Sequence, residues 1–257
     1  MLQAKPAPEP DLLGEQTAGS LFRNIVHLYR RHFVPIVMTF FLPTFPFMLA
    51  ELLLRSTSPW LSVVCLMLYN VASFIASGAL TVTLSDIFLG NQPLLRRSFG
   101  CILSDGLWKR LLGTGVLVSL LVFGGSILLI VPGLYFIVRS LFTSTVVTLE
   151  RRSGKDAIKR SFELTRQQFW RIAGLFFLVC AVAYALVVVL VGMIAGAAVA
   201  LSGAPAGADQ VIEMIANALV LGIFVPVLSL AMVLLYYDQR ARREAYDTHA
   251  LFEDLMR

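Results

Sequence analysis

The 257-residue chain is 58% hydrophobic, only 14% charged and carries a net charge of +5. A soluble domain carries about 25% charged residues, so this composition excludes an ordinary water-soluble globule and calls for lipid as solvent. Cys65, Cys101, Cys180, His27, His32 and His249 are too scattered for a disulfide framework or a ligand cluster, and no metal or cofactor is expected.

Residues 1–16 are polar and proline-rich, with no apolar run of the kind a cleavable leader needs, and read as a flexible tail. The polytopic membrane domain is expected over 17–237 and a cytoplasmic C-terminal helix over 238–257. Apolar runs of about 18 residues or more read as membrane spans, and six follow in order. The first, residues 33–54, contains Pro35, Pro43 and Pro46, which a membrane helix tolerates as kinks. The second runs from about Trp60 to Leu89. The third covers roughly Leu111 to Val131 and is expected to end at Pro132-Gly133. A shorter fourth, 133–150, closes on Glu150. The fifth runs from Phe169 to about Leu201. Its "GMIAG" (192–196) has the small-xxx-small spacing that lets helices approach closely. The sixth spans about Val211 to Tyr237, with Tyr236 and Tyr237 suited to the aromatic belt at the membrane surface.

Three stretches between spans resemble one another: 21–37, 94–113 and 157–173 each begin basic and end aromatic before an apolar pair. They predict three repeats of an amphipathic helix plus a helical hairpin. At about 100° per residue, Ala157, Ile158, Phe162, Leu164 and Phe169 share one face of the third, and Lys159, Arg160, Arg166 and Arg171 the other. Ser153 and Asp156 have capping-box spacing at its start. This is the pattern of a helix lying in the headgroup layer. Arg96, Arg97, Lys159, Arg160, Arg166, Trp170 and Arg171 are then the candidate lipid-headgroup residues, each cation contributing about 1 kcal/mol against anionic lipid. Anionic membrane lipids, a membrane-protein partner or a second copy are the partners these features suit. Nucleic acid is not.

Arg139 lies inside the fourth span, roughly 9 Å from its outer end at about 1.5 Å rise per residue. An ionisable group at such depth is a functional-site hypothesis, and Glu51 and Glu213 are its candidate ion-pair partners. No set of acids, histidines or nucleophiles converges elsewhere, so no catalytic residue is assigned. After the sixth span, Asp238–Arg242, Arg240–Glu244 and Arg243–Asp247 are i,i+4 opposite-charge pairs that support a continuing helix.

The runs "VPGLYFIVRSLFTSTVVTLERRSGKDAIKRSFELTRQQFWRI" and "LLYYDQRARREAYD" together resemble the membrane domain found beside some bacterial glycerophosphoryl diester phosphodiesterases, which also occurs alone in prokaryotic membrane proteins. Pro132, Gly133, Arg139, Glu150, Ala157, Arg160, Ser161, Trp170, Leu235, Tyr236 or Tyr237, Asp238, Arg240, Arg242 and Glu244 occupy the motif. The resemblance implies a prokaryotic cytoplasmic-membrane protein near phospholipid turnover. In the fused proteins hydrolysis belongs to a soluble barrel, for which these 257 residues leave no room. The fold is thus expected to be an all-α integral membrane protein of six transmembrane helices with interfacial amphipathic helices. The expected function is a non-catalytic scaffold or accessory factor engaging lipids or another membrane protein. The rival expectation is a small transporter using Arg139 with an acidic partner.

With six spans, every lysine and arginine except Arg55 and Arg139 falls on the side of the termini. The positive-inside rule then puts both termini in the cytoplasm. A C-terminal tag is expected to be accessible in inverted vesicles and protected in intact cells; the reverse result would overturn the topology.

Overall fold

The computed structural model describes residues 17–54, 57–104, 106–202, 212, 215–216 and 219–244. Among these every regular element is helical, as expected of an all-α membrane protein. Ten α-helices follow in order: α1 Ala18–Arg31, α2 Phe33–Leu54, α3 Pro59–Phe88, α4 Leu95–Ser104, α5 Leu107–Leu128, α6 Ile130–Ser140, α7 Thr143–Leu149, α8 Gly154–Arg166, α9 Phe169–Ser202 and α10 Val225–Glu244. A π-helical turn, Val220–Phe224, leads into α10. Among the described residues five segments are long and apolar enough to cross a membrane: Phe33–Glu51, Pro59–Phe88, Leu107–Ile127, Val131–Leu149 and Phe169–Ala197. The expected sixth, 211–237, falls partly outside the described residues.

Each short amphipathic helix starts or docks for a local reason. Thr17 caps α1, accepting the Ser20 amide at 3.2 Å. Leu21, Ile25 and Leu28, at i, i+4 and i+7, are buried against α10 and its neighbours. On α4, Ser98 and Ile102 turn inward against α3 while Arg96 and Arg97 stay exposed. Ser153 occupies the cap position of α8 in extended backbone, but its side chain makes no capping bond. The expected capping box is replaced by a tertiary contact: the Gly154 amide donates to Thr114 Oγ1 at 2.7 Å. Arg151 (φ 52°) and Gly154 (φ 59°) adopt left-handed backbone to turn the chain from α7 into α8. The Arg151 carbonyl accepts from Arg110 at 2.9 Å.

Two expected boundaries move. The chain breaks after α5 at extended Leu129, so Pro132 and Gly133 lie in the first turn of α6 rather than at a span end. Pro132 loses nothing there, since first-turn amides have no helical acceptor. Gly133 allows the close crossing of α5: a Cβ on it would lie 2.2 Å from Ser126 Oγ and 3.0 Å from Ser126 Cα. The fourth span is two helices, α6 and α7, broken at Leu141 and Phe142. By contrast, no described atom lies within 4 Å of a Cβ built on Gly192 or Gly196, so neither glycine makes a close helix crossing among the described residues.

The core sits toward one end. Every residue of α3 from Gly78 to Phe88 is buried, as is every residue of α10 from Leu230 to Gln239. The opposite halves of the long helices carry exposed apolar side chains such as Trp60, Met67, Phe123, Val131 and Met193, a surface suited to hydrocarbon. We refer to the packed end, which carries α4, α8 and the charged part of α10, as the basic end.

Gly133→Ala is expected to lower stability by about 1–3 kcal/mol through overpacking against the Ser126 backbone. Gly113→Ala, where nothing stands within 4 Å of the new methyl, is expected to be neutral or mildly stabilising. Thermal unfolding in mild detergent separates the two.

Candidate functional site

The polar residues of α10 enter the packed end of the bundle instead of leaving it. Tyr236, Tyr237 and Asp238 are fully buried and Gln239 nearly so. This corrects the surface placement expected for the two tyrosines. Buried polar groups require partners, and each of these residues finds one on a different neighbour, with Gln239 Oε1 alone of their side-chain atoms left unpaired among the described residues. The Tyr236 hydroxyl donates to Glu150 Oε1 at 3.0 Å, at the end of α7. Tyr237 shares a 2.7 Å hydrogen bond with Ser85 of α3 and meets Phe88 edge-to-face at 5.2 Å. Asp238 takes Arg171 of α9 at 3.0 Å and Arg242 at 3.0 Å. Gln239 donates to Gln168, which also accepts from Arg171 at 2.7 Å.

Glu150 and Arg160 form the second half of this hub. Arg160 Nε lies 3.0 and 3.1 Å from the two Glu150 oxygens, and Arg152 reaches the same carboxylate at 3.1 Å. Arg160 also hydrogen-bonds Glu244, which Arg240 holds at 2.9 Å, while Arg240 donates to the Tyr236 hydroxyl at 3.2 Å. Arg243 donates to the Glu163 carbonyl at 2.6 Å. A closed circuit of Glu150, Arg160, Glu244, Arg240 and Tyr236 thus clamps α8 to α10. The i,i+4 pairs expected at Asp238–Arg242 and Arg240–Glu244 are present; Asp247 of the third lies outside the described residues.

Electrostatics follow from this wiring. Burial works against the Arg160 cation, but the hydrogen bonds and charges of Glu244 and Glu150 prevail and hold its pKa above the ordinary value. Burial likewise works against the Glu244 carboxylate, yet the hydrogen bonds and charges of Arg160 and Arg240 outweigh it and depress its pKa.

The candidate residues divide sharply. Arg160 and Arg171, expected to face lipid headgroups, are bound to the chain's own carboxylates, and Arg97 pairs with fully buried Asp86 at 3.3 Å. Arg96, Lys159, Arg166 and Trp170 do remain exposed. Arg166, Trp170, Arg171 and Arg242 line a broad open hollow where α8 meets α9. Helix α8 buries Ala157, Ser161, Leu164 and Thr165 against protein.

Arg139 makes a different contact from the one expected. It lies in the last turn of α6 and donates to the Phe162 carbonyl at 2.7 Å and to Thr165 Oγ1 at 3.3 Å. Its guanidinium sits over the Phe162 and Tyr135 rings, at 4.9 and 5.4 Å. Ser161 returns a 2.7 Å bond to the Arg139 carbonyl. Among the described residues no carboxylate pairs with Arg139, so the expected partner Glu51 is not engaged; Glu213 lies outside the described residues. The reason is the break after Ser140, which ends α6 early and delivers Arg139 to α8.

Apolar helices that cross a membrane, closed at one end by docked amphipathic helices and a buried ionic hub, define an all-α multi-pass membrane domain. A family model described as the membrane domain of glycerophosphoryl diester phosphodiesterase matches residues 114–251, more than half of the chain, and the chain belongs to that family. Comparisons with curated proteins and with solved structures gave no match. The matched region begins within α5 and includes the whole hub except Ser85.

Arg160→Ala removes the Nε–H that both oxygens of the mostly buried Glu150 share and is expected to cost about 3 kcal/mol. Arg152→Ala, at a half-exposed side chain, is expected to cost less than about 1 kcal/mol. Equal losses in thermal unfolding would contradict the hub. A carboxylate with a depressed folded pKa contributes stability that is complete above its unfolded value and lost as pH falls through the folded one. The Glu244 part of the clamp should therefore persist above its ordinary pKa of 4.5 and weaken below it, and Glu244→Gln should flatten that acid limb of the unfolding curve.

Proposed function

We propose that this protein is a non-catalytic scaffold or accessory factor of the prokaryotic cytoplasmic membrane that serves phospholipid or glycerophosphodiester metabolism. In this reading both termini face the cytoplasm, and three related units of amphipathic helix and hairpin build the domain. The observation that carries it is the fate of the family's ionisable residues. Glu150, Arg160, Asp238, Arg240, Arg242 and Glu244 bind one another and hold helices together, whereas a hydrolytic site needs acids and bases turned toward a substrate. The matched family is the membrane part of its enzyme, which agrees with this assignment. The exposed cations Arg96, Lys159 and Arg166, with Trp170, supply a surface for anionic headgroups, densest at the hollow of Arg166, Trp170, Arg171 and Arg242. Arg139, bonded to the α8 backbone and flanked by two rings, acts as a tether rather than a station on a transport path.

Purification in mild detergent, with lipids and proteins identified by mass spectrometry, tests this reading. Anionic lipid or a membrane-protein partner is expected to co-purify, with the lipid reduced several-fold by Arg166→Gln together with Trp170→Ala. Glycerophosphodiester hydrolysis by the purified chain alone would overturn the reading.

A further inference from the structure

The open hollow where α8 meets α9 also borders the start of α1 and the last turn of α10: Thr17 and Arg242 line it together with Arg166, Phe169, Trp170 and Arg171. No acidic side chain of the described residues is part of its lining. The carboxylate beneath it is Asp238, fully buried and held by Arg171 and Arg242 at 3.0 Å each. Three guanidiniums thus meet one described carboxylate, and Arg166 stands exposed on α8. Trp170 beside them is 85% exposed. Excess positive charge around an uncovered ring suits an occupant that is both acidic and apolar.

The chain itself carries such an occupant, joined to the fold at the wall of the hollow. Thr17 caps α1 in extended backbone (φ −78°, ψ 161°), and residues 1–16, outside the described residues, connect there. Residues 9–15 read E-P-D-L-L-G-E: three acids, two leucines and no cation. Glu15 is two residues from Thr17 and Glu9 eight. At about 3.6 Å per residue the chain between spans at most about 7 and 29 Å, so all three acids are within range of a hollow that Thr17 borders. A short tether supplies an effective concentration of millimolar order, at which weak exposed ion pairs suffice. The other chain end has Asp247, Glu253 and Asp254, but mixed with His249 and Arg257. It is joined through Glu244, which is bound to Arg160 and Arg240 and does not line the hollow.

We propose that residues 9–15 occupy this hollow, with Glu9, Asp11 and Glu15 meeting Arg166, Arg171 and Arg242 and the Leu12–Leu13 pair covering Trp170. The same cations and ring are those the lipid-engaging reading above assigns to anionic headgroups. Segment and headgroup therefore exclude each other, a consequence that rests on that reading, whereas the docking does not.

The test uses the full chain in mild detergent with a photo-crosslinking phenylalanine analogue in place of Leu13. The crosslink is expected within one chain, on peptides of the α8–α9 junction or the last turn of α10. Glu9→Gln, Asp11→Asn and Glu15→Gln together should reduce it several-fold, at about two-fold for each exposed pair. Salt at about 1 M, where the Debye length is about 3 Å, should do the same. Arg166→Gln, outside the ionic hub, should reduce it about two-fold. A crosslink elsewhere, one between two chains, or one unmoved by the acid-to-amide changes would overturn the proposal. So would a crosslink to the hollow from the same analogue at Phe252, which would assign it to the other chain end. Co-purifying phosphatidylglycerol is measured in parallel, and the triple acid-to-amide variant is expected to retain at least about two-fold more of it. Unchanged retention beside an intact crosslink would overturn the competition. Absence of the lipid from every variant, with the crosslink intact, would overturn the headgroup reading and support the docking.

Discussion

Four consecutive polar residues, Tyr236 to Gln239, are buried near the end of an apolar helix, and the neighbouring helices supply each with a hydrogen-bond partner. In a low-dielectric interior an unpaired hydroxyl, amide or carboxylate costs more than most packing contacts return. Each residue draws its partner from another element: Glu150 after α7, Ser85 on α3, Arg171 on α9 and Gln168 between α8 and α9. Helix α10 is consequently the axis of the packed end. The residues that follow, Arg240 to Glu244, extend the same logic to α8 through Arg160.

This constraint makes the domain asymmetric. At the basic end, hydroxyl bonds such as Thr39–Thr83 and Thr83–Ser98 add links among α2, α3 and α4. Toward the other end the helices turn large apolar side chains outward, and lipid is the natural packing partner there. The amphipathic helices are part of the packed end: α1, α4 and α8 each bury an apolar stripe in protein and keep only some of their cations for the surface. The partition matters for function, because Arg160 and Arg171 hold the fold while Arg166, Lys159 and Trp170 remain available to headgroups.

Much of the architecture was legible from hydropathy and charge, since five spans and the positions of α1, α4 and α8 are local properties of the chain. The family was legible for a related reason: Pro132, Gly133, Glu150, Asp238 and their neighbours occupy one recognisable string. What escaped were pairings between distant segments. Nothing near Tyr236 in the chain announces Glu150, 86 positions away, and nothing near Tyr237 announces Ser85. An aromatic pair beside a charged run has the composition of a membrane surface, so burial of both rings depends on what surrounds α10. The contacts of Arg139 with Phe162 and Thr165 on α8 were not legible, because the break after Ser140 has no glycine or proline to mark it.

The central claim is that buried Asp238 is held in place by Arg171, so that α9 and α10 depend on each other at the basic end. A double-mutant cycle with Asp238→Asn and Arg171→Gln, read by unfolding in mild detergent, tests it most directly. The account predicts a coupling energy of at least about 1 kcal/mol, since Arg171→Gln takes from fully buried Asp238 one of the cations that hold it. Additive losses, with no coupling between the two positions, would contradict it.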